Sequence, residues 1–344
     1  MVRLRNVSPN GAGWTRRRAG KGFVYLDEHG GRLGAPEVAR IKALVIPPAW
    51  EDVWICPHPN GHVQAVGTDV AGRRQYLYHP DWRLKRDQEK FQRVSKIARK
   101  LPKARAALTE HLQQEGMTLE RAAAAAVRLL DLGYFRIGGD VYAENESFGL
   151  TTLERRHVSR KGKLLVFDFV GKSGVEHRIE IDDPLAMAAV ETMRRRRGGS
   201  ERLMAFKELT RWADLDASRV NDYLRESVGE ELTAKDFRTW HATVLAAAAL
   251  AASEEPGDTK ASRKRAVSGA MKEVAEFLGN TPTIARSSYV DPRVIDLYED
   301  GVTIDATLSR RHKDPAKRQA AMERAVLRLL SISPESRERS TRKK

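Results

Sequence analysis

The sequence predicts an α+β protein in two parts: a small β-rich N-terminal part, and a larger, mainly α-helical part holding a small antiparallel sheet. Three observations predict it. Short strand patterns separated by turn signals fill the first 90 or so residues, and helical apolar periodicity takes over from about Glu89. Within the helical part, LLVFDFV and VEHRIEI flank the turn GKSG as a hairpin. The parts are therefore set at residues 1–90 and 91–332, with a disordered basic tail over 333–344.

Taken in order, residues 1 to about 22 are basic and glycine-rich and read as a flexible lead-in. FVYLDEHGGRL has a hairpin pattern with Gly30-Gly31 at its tip. IPPAWEDVWICPHPNGHVQAVGTDVAGRRQYLYH continues the strands, with turns at Asn60-Gly61 and Ala71-Gly72. EKFQRVSKIARKLPKARAALTEHLQQEG is a basic amphipathic segment broken at Pro102. TLERAAAAAVRLLDLG is a helix capped by Thr118 and stopped by Gly133. After the small sheet, helices return at PLAMAAVETMRRRR, SRVNDYLRESVG and TAKDFRTWHATVLAAAALAA. The four arginines 194–197 read as a solvated helix end near a polyanion. A further helix closes at Gly279. Asn280 follows, then Thr281 and Pro282, an N-cap and a first-turn proline that start a new short helix. Tyr289 lies eight residues after that cap, and Asp291-Pro292 opens another helix. The last helical pattern is PAKRQAAMERAVLRLLSI.

A chain of 344 residues is long enough for two cores. Its 61 Lys and Arg against 46 Asp and Glu give a net charge of +15, which favours a polyanionic partner, nucleic acid first. Charge alone does not separate an enzyme from a ribosomal or histone-like binder. Cys56 is the single cysteine, so no disulfide forms within the chain and no cysteine-cluster metal site exists. The N terminus lacks the apolar core of a signal peptide, and VLAAAALAA is far shorter than the roughly 20 residues of a membrane span. The expectation is a soluble cytoplasmic protein with no membrane partner.

Four side chains have a chemical type that helical packing does not require. Arg136 follows the alanine-rich helix, Lys172 sits at the hairpin tip, Arg238 interrupts the helix in KDFRTW, and Tyr289 lies near a helix junction. Singly, each has an ordinary role: surface ion pairs for the arginines, a solvated turn for the lysine, a core position for the tyrosine. Together they are what phosphodiester transesterification without a metal requires. The tyrosine attacks phosphorus, two guanidinium forks hold the non-bridging oxygens, and the lysine protonates the leaving oxygen. The GKS in the hairpin is not a P-loop, because Val166 stands where that motif needs glycine. His58 and His62 have i, i+4 spacing, but Pro59 and the Asn60-Gly61 turn prevent a helix from presenting both to a metal. In the N-terminal part, GRRQYLYH places Tyr76 and Tyr78 on one strand face and Gln75 on the other. The tyrosines can pack a core, or the segment can lie on DNA with Arg73 and Arg74 on phosphates.

The order FRIGG…YAENESFGLTTL, FVGKSG, KDFRTW and LGNTP…SSYV, with IPPAW and GRRQYLYH before it, resembles the small poxvirus-like bacterial type IB DNA topoisomerases over nearly the whole chain. The resemblance implies a C-shaped clamp of two domains around double-stranded DNA, acting as a monomer and without a cofactor. It implies Tyr289 as nucleophile, Arg136 and Arg238 as phosphate clamps and Lys172 as general acid. It also implies DNA contacts at Gln75, Tyr76 and Tyr78 and at Tyr142 and Asn145. The family usually carries histidine where this chain has Asn280, which donates a hydrogen bond to phosphate but does not titrate. The implied activity is relaxation of supercoiled DNA through a 3′-phosphotyrosyl link, without ATP or metal, in a protein associated with the nucleoid. A tyrosine recombinase is the alternative. Against it stand Lys235, where recombinases usually have histidine, and the β-rich N-terminal part. A non-catalytic DNA-binding protein explains the charge but not the four spaced residues.

Overall fold

The computed structural model describes residues 2–139, 147–228, 232–253, 259–308 and 312–332, and the chain divides into two compact units, Met1–Gln92 and Arg93–Lys344. The first is built on one antiparallel sheet. Its elements are β1 (Trp14–Ala19), β2 (Gly22–Leu26), α1 (Ala35–Ala43), β3 (Glu51–Ile55), β4 (Val63–Thr68) and β5 (Arg74–Tyr78), with sheet order β2-β1-β3-β4-β5. Ile41 from α1 joins Val53, Ile55 and Ala65 in a small core, with Trp14, Tyr25 and Leu77 packed on it.

Three features of this unit differ from the sequence reading. The expected lead-in contains β1, paired with β2 from Thr15↔Leu26 to Ala19↔Gly22. WTRRRA alternates like a strand once the Arg16 stem is counted as apolar. The Arg16 guanidinium donates to the carbonyls of Pro47 (2.6 Å) and Trp50 (2.8 Å) and lies over the Phe23 ring. Helix α1 was also hidden, because only Ile41 among its nine residues is fully buried and no apolar stripe forms. The Gly30-Gly31 hairpin shrinks to one bridge, Leu26↔Arg32, around a turn held by the Asp27 carboxylate.

Helix α2 (Pro80–Ala98) starts nine residues before Glu89, with its first turn bonded to the ring of His79. The second unit continues with α3 (Leu101–Leu112) and α4 (Leu119–Gly133), then β6 (Val158–Lys161), β7 (Leu164–Val170) and β8 (Glu176–Ile181) as a three-stranded antiparallel sheet. Helix α5 (Pro184–Arg194), the hairpin β9 (Ala205–Glu208) and β10 (Arg211–Asp214), and helices α6 (Ala217–Val228) and α7 (Ala234–Ala252) follow. The described elements end with α8 (Lys260–Leu278), α9 (Pro282–Ser288), α10 (Pro292–Glu299) and α11 (Pro315–Leu330). The protein is thus α+β.

Helix α4 is the centre of this unit. Ala122 to Ala126 have no exposed surface, and α3, α5, α6, α7, β8 and β9 all pack on it. Alanine suits the position because it favours helix and lets neighbouring backbones come close. One turn from its end, Asp131 accepts from Arg105 at 2.7 and 2.9 Å and pairs with His241 of α7 at 2.9 Å. Arg105 also donates to Glu323 of α11, and Gln319 bridges Glu323 and the other nitrogen of His241. Burial pushes the Asp131 carboxyl up, but His241 and Arg105 outweigh it and hold the group ionised, well below the usual range. The arginine run gives a correction: Arg196 is buried, 6% exposed, and donates to the carbonyls of Met193 (2.8 Å) and Leu203 (3.0 Å). It closes the end of α5 rather than meeting solvent.

Candidate active site

The tyrosine is placed by helix ends. Gly279 closes α8 in the left-handed conformation (φ 59°), and the Asn280 N–H turns back to the Ala275 carbonyl at 2.9 Å. Thr281 caps α9 by accepting from the Ile284 N–H, and Pro282 begins it. Tyr289 is the residue that ends this helix, its N–H on the Ala285 carbonyl at 3.1 Å. Thr243 of α7 holds the backbone from the other side. Its hydroxyl donates to the Thr239 carbonyl of its own helix (2.8 Å), lies 3.3 Å from the Tyr289 carbonyl, and accepts from the Asp291 N–H (3.1 Å).

Both arginines are anchored on the C-terminal ends of helices. Arg238 is 4% exposed. It donates to the Leu278 carbonyl at 2.6 Å and to the carbonyl of Tyr134, which ends α4 in the left-handed conformation. Arg136 donates to the Gly279 carbonyl (3.2 Å) and to Asn280 Oδ1 (2.8 Å). These carbonyls lack helical partners and carry the negative end of the helix dipole, which compensates the buried charge. Binding its oxygen to Arg136 fixes the orientation of the Asn280 amide. Its Nδ2 is buried and has no partner among the described residues.

Arg136, Lys172, Lys235, Arg238 and Tyr289 line one cleft of about 420 Å³, walled by the backbone of Gly138, Gly139 and Gly149. Lys172 occupies a 3₁₀ turn, Lys172–Gly174, between β7 and β8. Arg238 lies with its Cζ 5.5 Å from the Tyr289 ring centre. Burial pushes the phenol pKa up, but the charge and hydrogen bond of Arg238, then Arg136 and Lys235, outweigh it and bring it below the ordinary value. Burial, reinforced by Arg136 and opposed by Tyr289, pushes Arg238 down to about 10, so it stays charged at neutral pH. A cleft with two guanidinium groups, two ammonium groups and a phenol of lowered pKa suits a phosphodiester.

The structure thus brings Arg136, Lys172, Arg238 and Tyr289 to one place, with the Asn280 amide against Arg136. Two contributors were absent from the sequence-based set. Lys235 lies one helical turn before Arg238, so its place on the same face was readable from spacing. Thr243 acts on a backbone 46 residues away, which no local pattern reveals. In the first unit, Tyr76 and Tyr78 are exposed (43% and 40%) and stack at 6.0 Å, while Leu77 turns to the core. They do not pack the core face. Gln75 and Arg73 both bond Asp69, at 3.0 Å, and Arg74 is exposed. Tyr142 and Asn145 lie outside the described residues. Among those described, no helix is long and apolar enough to cross a membrane.

Residues 79–313 match the family of the eukaryotic DNA topoisomerase I catalytic core, and residues 22–69 match the bacterial DNA topoisomerase IB N-terminal domain. DNA topoisomerase 1B of Acanthamoeba polyphaga mimivirus is 29% identical over 295 residues, covering 83% of this chain and 87% of that one. DNA topoisomerase 1B of Vaccinia virus (strain Copenhagen) is 23% identical over 254 residues, 70% of this chain and 74% of the viral one. DNA topoisomerase 1 of Daucus carota is 27% identical over 206 residues, 58% of this chain and 25% of the plant protein. With a catalytic-core match over 79–313 enclosing every element of the cleft, the chain belongs to the type IB DNA topoisomerases.

Proposed function

We propose that the protein relaxes supercoiled duplex DNA by opening one strand through Tyr289, letting the free end rotate, and resealing. Tyr289 attacks phosphorus and passes its proton to solvent. A 3′-phosphotyrosyl bond forms as the bond to the 5′ oxygen breaks, and Lys172 supplies the proton that this oxygen takes. Arg136, Arg238 and the Asn280 amide hold the two non-bridging oxygens as charge grows on them. Resealing is the reverse reaction. Because the phosphotyrosyl bond conserves the energy of the phosphodiester, no nucleotide is consumed. The first unit takes hold of the duplex through the face that carries Tyr76, Tyr78 and Arg74, and the protein acts as a monomer.

The observation that carries this reading is the shared cleft, in which a phenol of lowered pKa meets Arg136, Lys172 and Arg238. The purified protein is expected to relax supercoiled plasmid in EDTA without ATP and to leave a covalent adduct on detergent denaturation. Tyr289→Phe should bind DNA as the parent does, since binding rests on backbone phosphates, but should form no adduct. An adduct from Tyr289→Phe would assign the nucleophile elsewhere.

A further inference from the structure

We propose that His177 is a positioning residue whose ring sets the turn bearing Lys172 against the end of α8; the proposal rests on the reading of Lys172 as a group that acts at the scissile phosphate. His177 is the second residue of β8, paired with Phe169 of β7 and stacked on its ring at 5.1 Å. The edge of the imidazole enters between two glycine backbones. A Cβ on Gly171 would stand 2.6 Å from Cδ2, and one on Gly279 would stand 2.5 Å from Cε1. Any side chain at either place would strike the ring.

These two glycines are the residues just before Lys172 and Asn280. Gly171 is buried and anchors the turn, its N–H on the Val175 carbonyl at 2.7 Å and its carbonyl accepting from Gly174 at 3.2 Å. Gly279 offers its carbonyl to Arg136. One ring therefore spaces the backbone that carries the lysine from the backbone that carries Asn280 and accepts from the Arg136 guanidinium. Among the described residues the ring makes no hydrogen bond, so its contribution is shape. Burial, then the charges of Arg136 and Arg238, favour its neutral form, which suits a spacer beside two cations. Removing the ring takes away the spacer between the Gly171 and Gly279 backbones, so the two can approach or shift. A shift of about 1 Å in a reacting group costs on the order of a hundredfold in rate.

The test is the rate of first-strand cleavage by the full chain on a duplex with one site, with DNA affinity measured alongside. His177→Ala should cleave roughly ten- to a hundredfold more slowly at unchanged affinity, and His177→Phe, which keeps a flat ring, should stay within about threefold of the parent. The double variant Lys172→Ala/His177→Ala should be no slower than Lys172→Ala alone, because the two residues act through one group. Gly171→Ala, whose backbone (φ −99°) accepts alanine, drives a methyl into the ring and should show the same epistasis if His177→Ala fails to fold. Full rate in His177→Ala, or a double variant slower by the whole factor of the single one, overturns the proposal. A duplex with sulfur at the bridging 5′ position tests the acid role of Lys172 separately, since that leaving group needs no acid. If sulfur fails to restore Lys172→Ala, the acid role falls, while the double variant still decides whether His177 acts through the lysine.

Discussion

Asn280 has one oxygen and one NH₂ to offer, and its neighbour decides which is taken. Arg136 has only donors, so it binds Oδ1 and leaves the buried Nδ2 to donate. That is the polarity a phosphate oxygen needs. Asn280→Ala is expected to slow cleavage by roughly tenfold to a thousandfold, the scale for one transition-state donor. Asn280→His keeps a donor and should stay active. Asn280→Asp should be worse than alanine, because a carboxylate offers no donor and meets the phosphate with like charge. Single-turnover cleavage on one duplex ranks the three, and full rate in Asn280→Ala would remove the residue from the reaction.

Helix α7 carries three contributors on successive turns: Lys235 and Arg238 at the cleft and Thr243 at the backbone of Tyr289. Thr243→Val keeps the shape and deletes the hydroxyl, leaving the buried Asp291 N–H without its acceptor. A loss of about 1–3 kcal/mol in chemical denaturation is expected, together with slower cleavage at unchanged DNA affinity. Unchanged cleavage would mean that α9 alone holds the tyrosine. Much of this region was legible in the chain because caps are local chemistry. Gly279, Thr281-Pro282 and Asp291-Pro292 mark three helix ends by residue type alone, and the helices stop and start at those residues. What could not be read is where long cationic side chains end. Arg196 and Arg238 look like surface residues in sequence, yet each is buried because its fork reaches carbonyls that a helix end leaves unpaired. Such partners lie up to 104 residues away, and no window of sequence contains them.

Across the whole molecule, the net charge of +15 makes salt dependence the natural measure of how much surface meets DNA. The unit boundary after Gln92 falls inside α2, so a fragment cut there would begin with half a helix. A chain beginning at His79 keeps α2 and its first-turn bond intact. This fragment is expected to retain weak cleavage, bind less tightly, and show a shallower log–log salt slope, by roughly 0.9 for each phosphate that the first unit had neutralised. An unchanged slope would place Tyr76, Tyr78 and Arg74 away from DNA. The two-part organisation was visible in the shift from strand to helix patterns, whereas β1 was not, because its alternation is written in arginines.

Arg136 and Arg238 are held by helix-end carbonyls, and among the described residues no carboxylate bonds to either. An arginine held by aspartate must break that pair before it can take a phosphate, and the broken pair subtracts from what the new one contributes. Among the described residues, nothing anionic has to be displaced. The carbonyls fix each fork from behind, so in the proposed reaction a phosphodiester would meet a receptor already in its working geometry. The reorganisation that water would require around such a charge has been completed by folding.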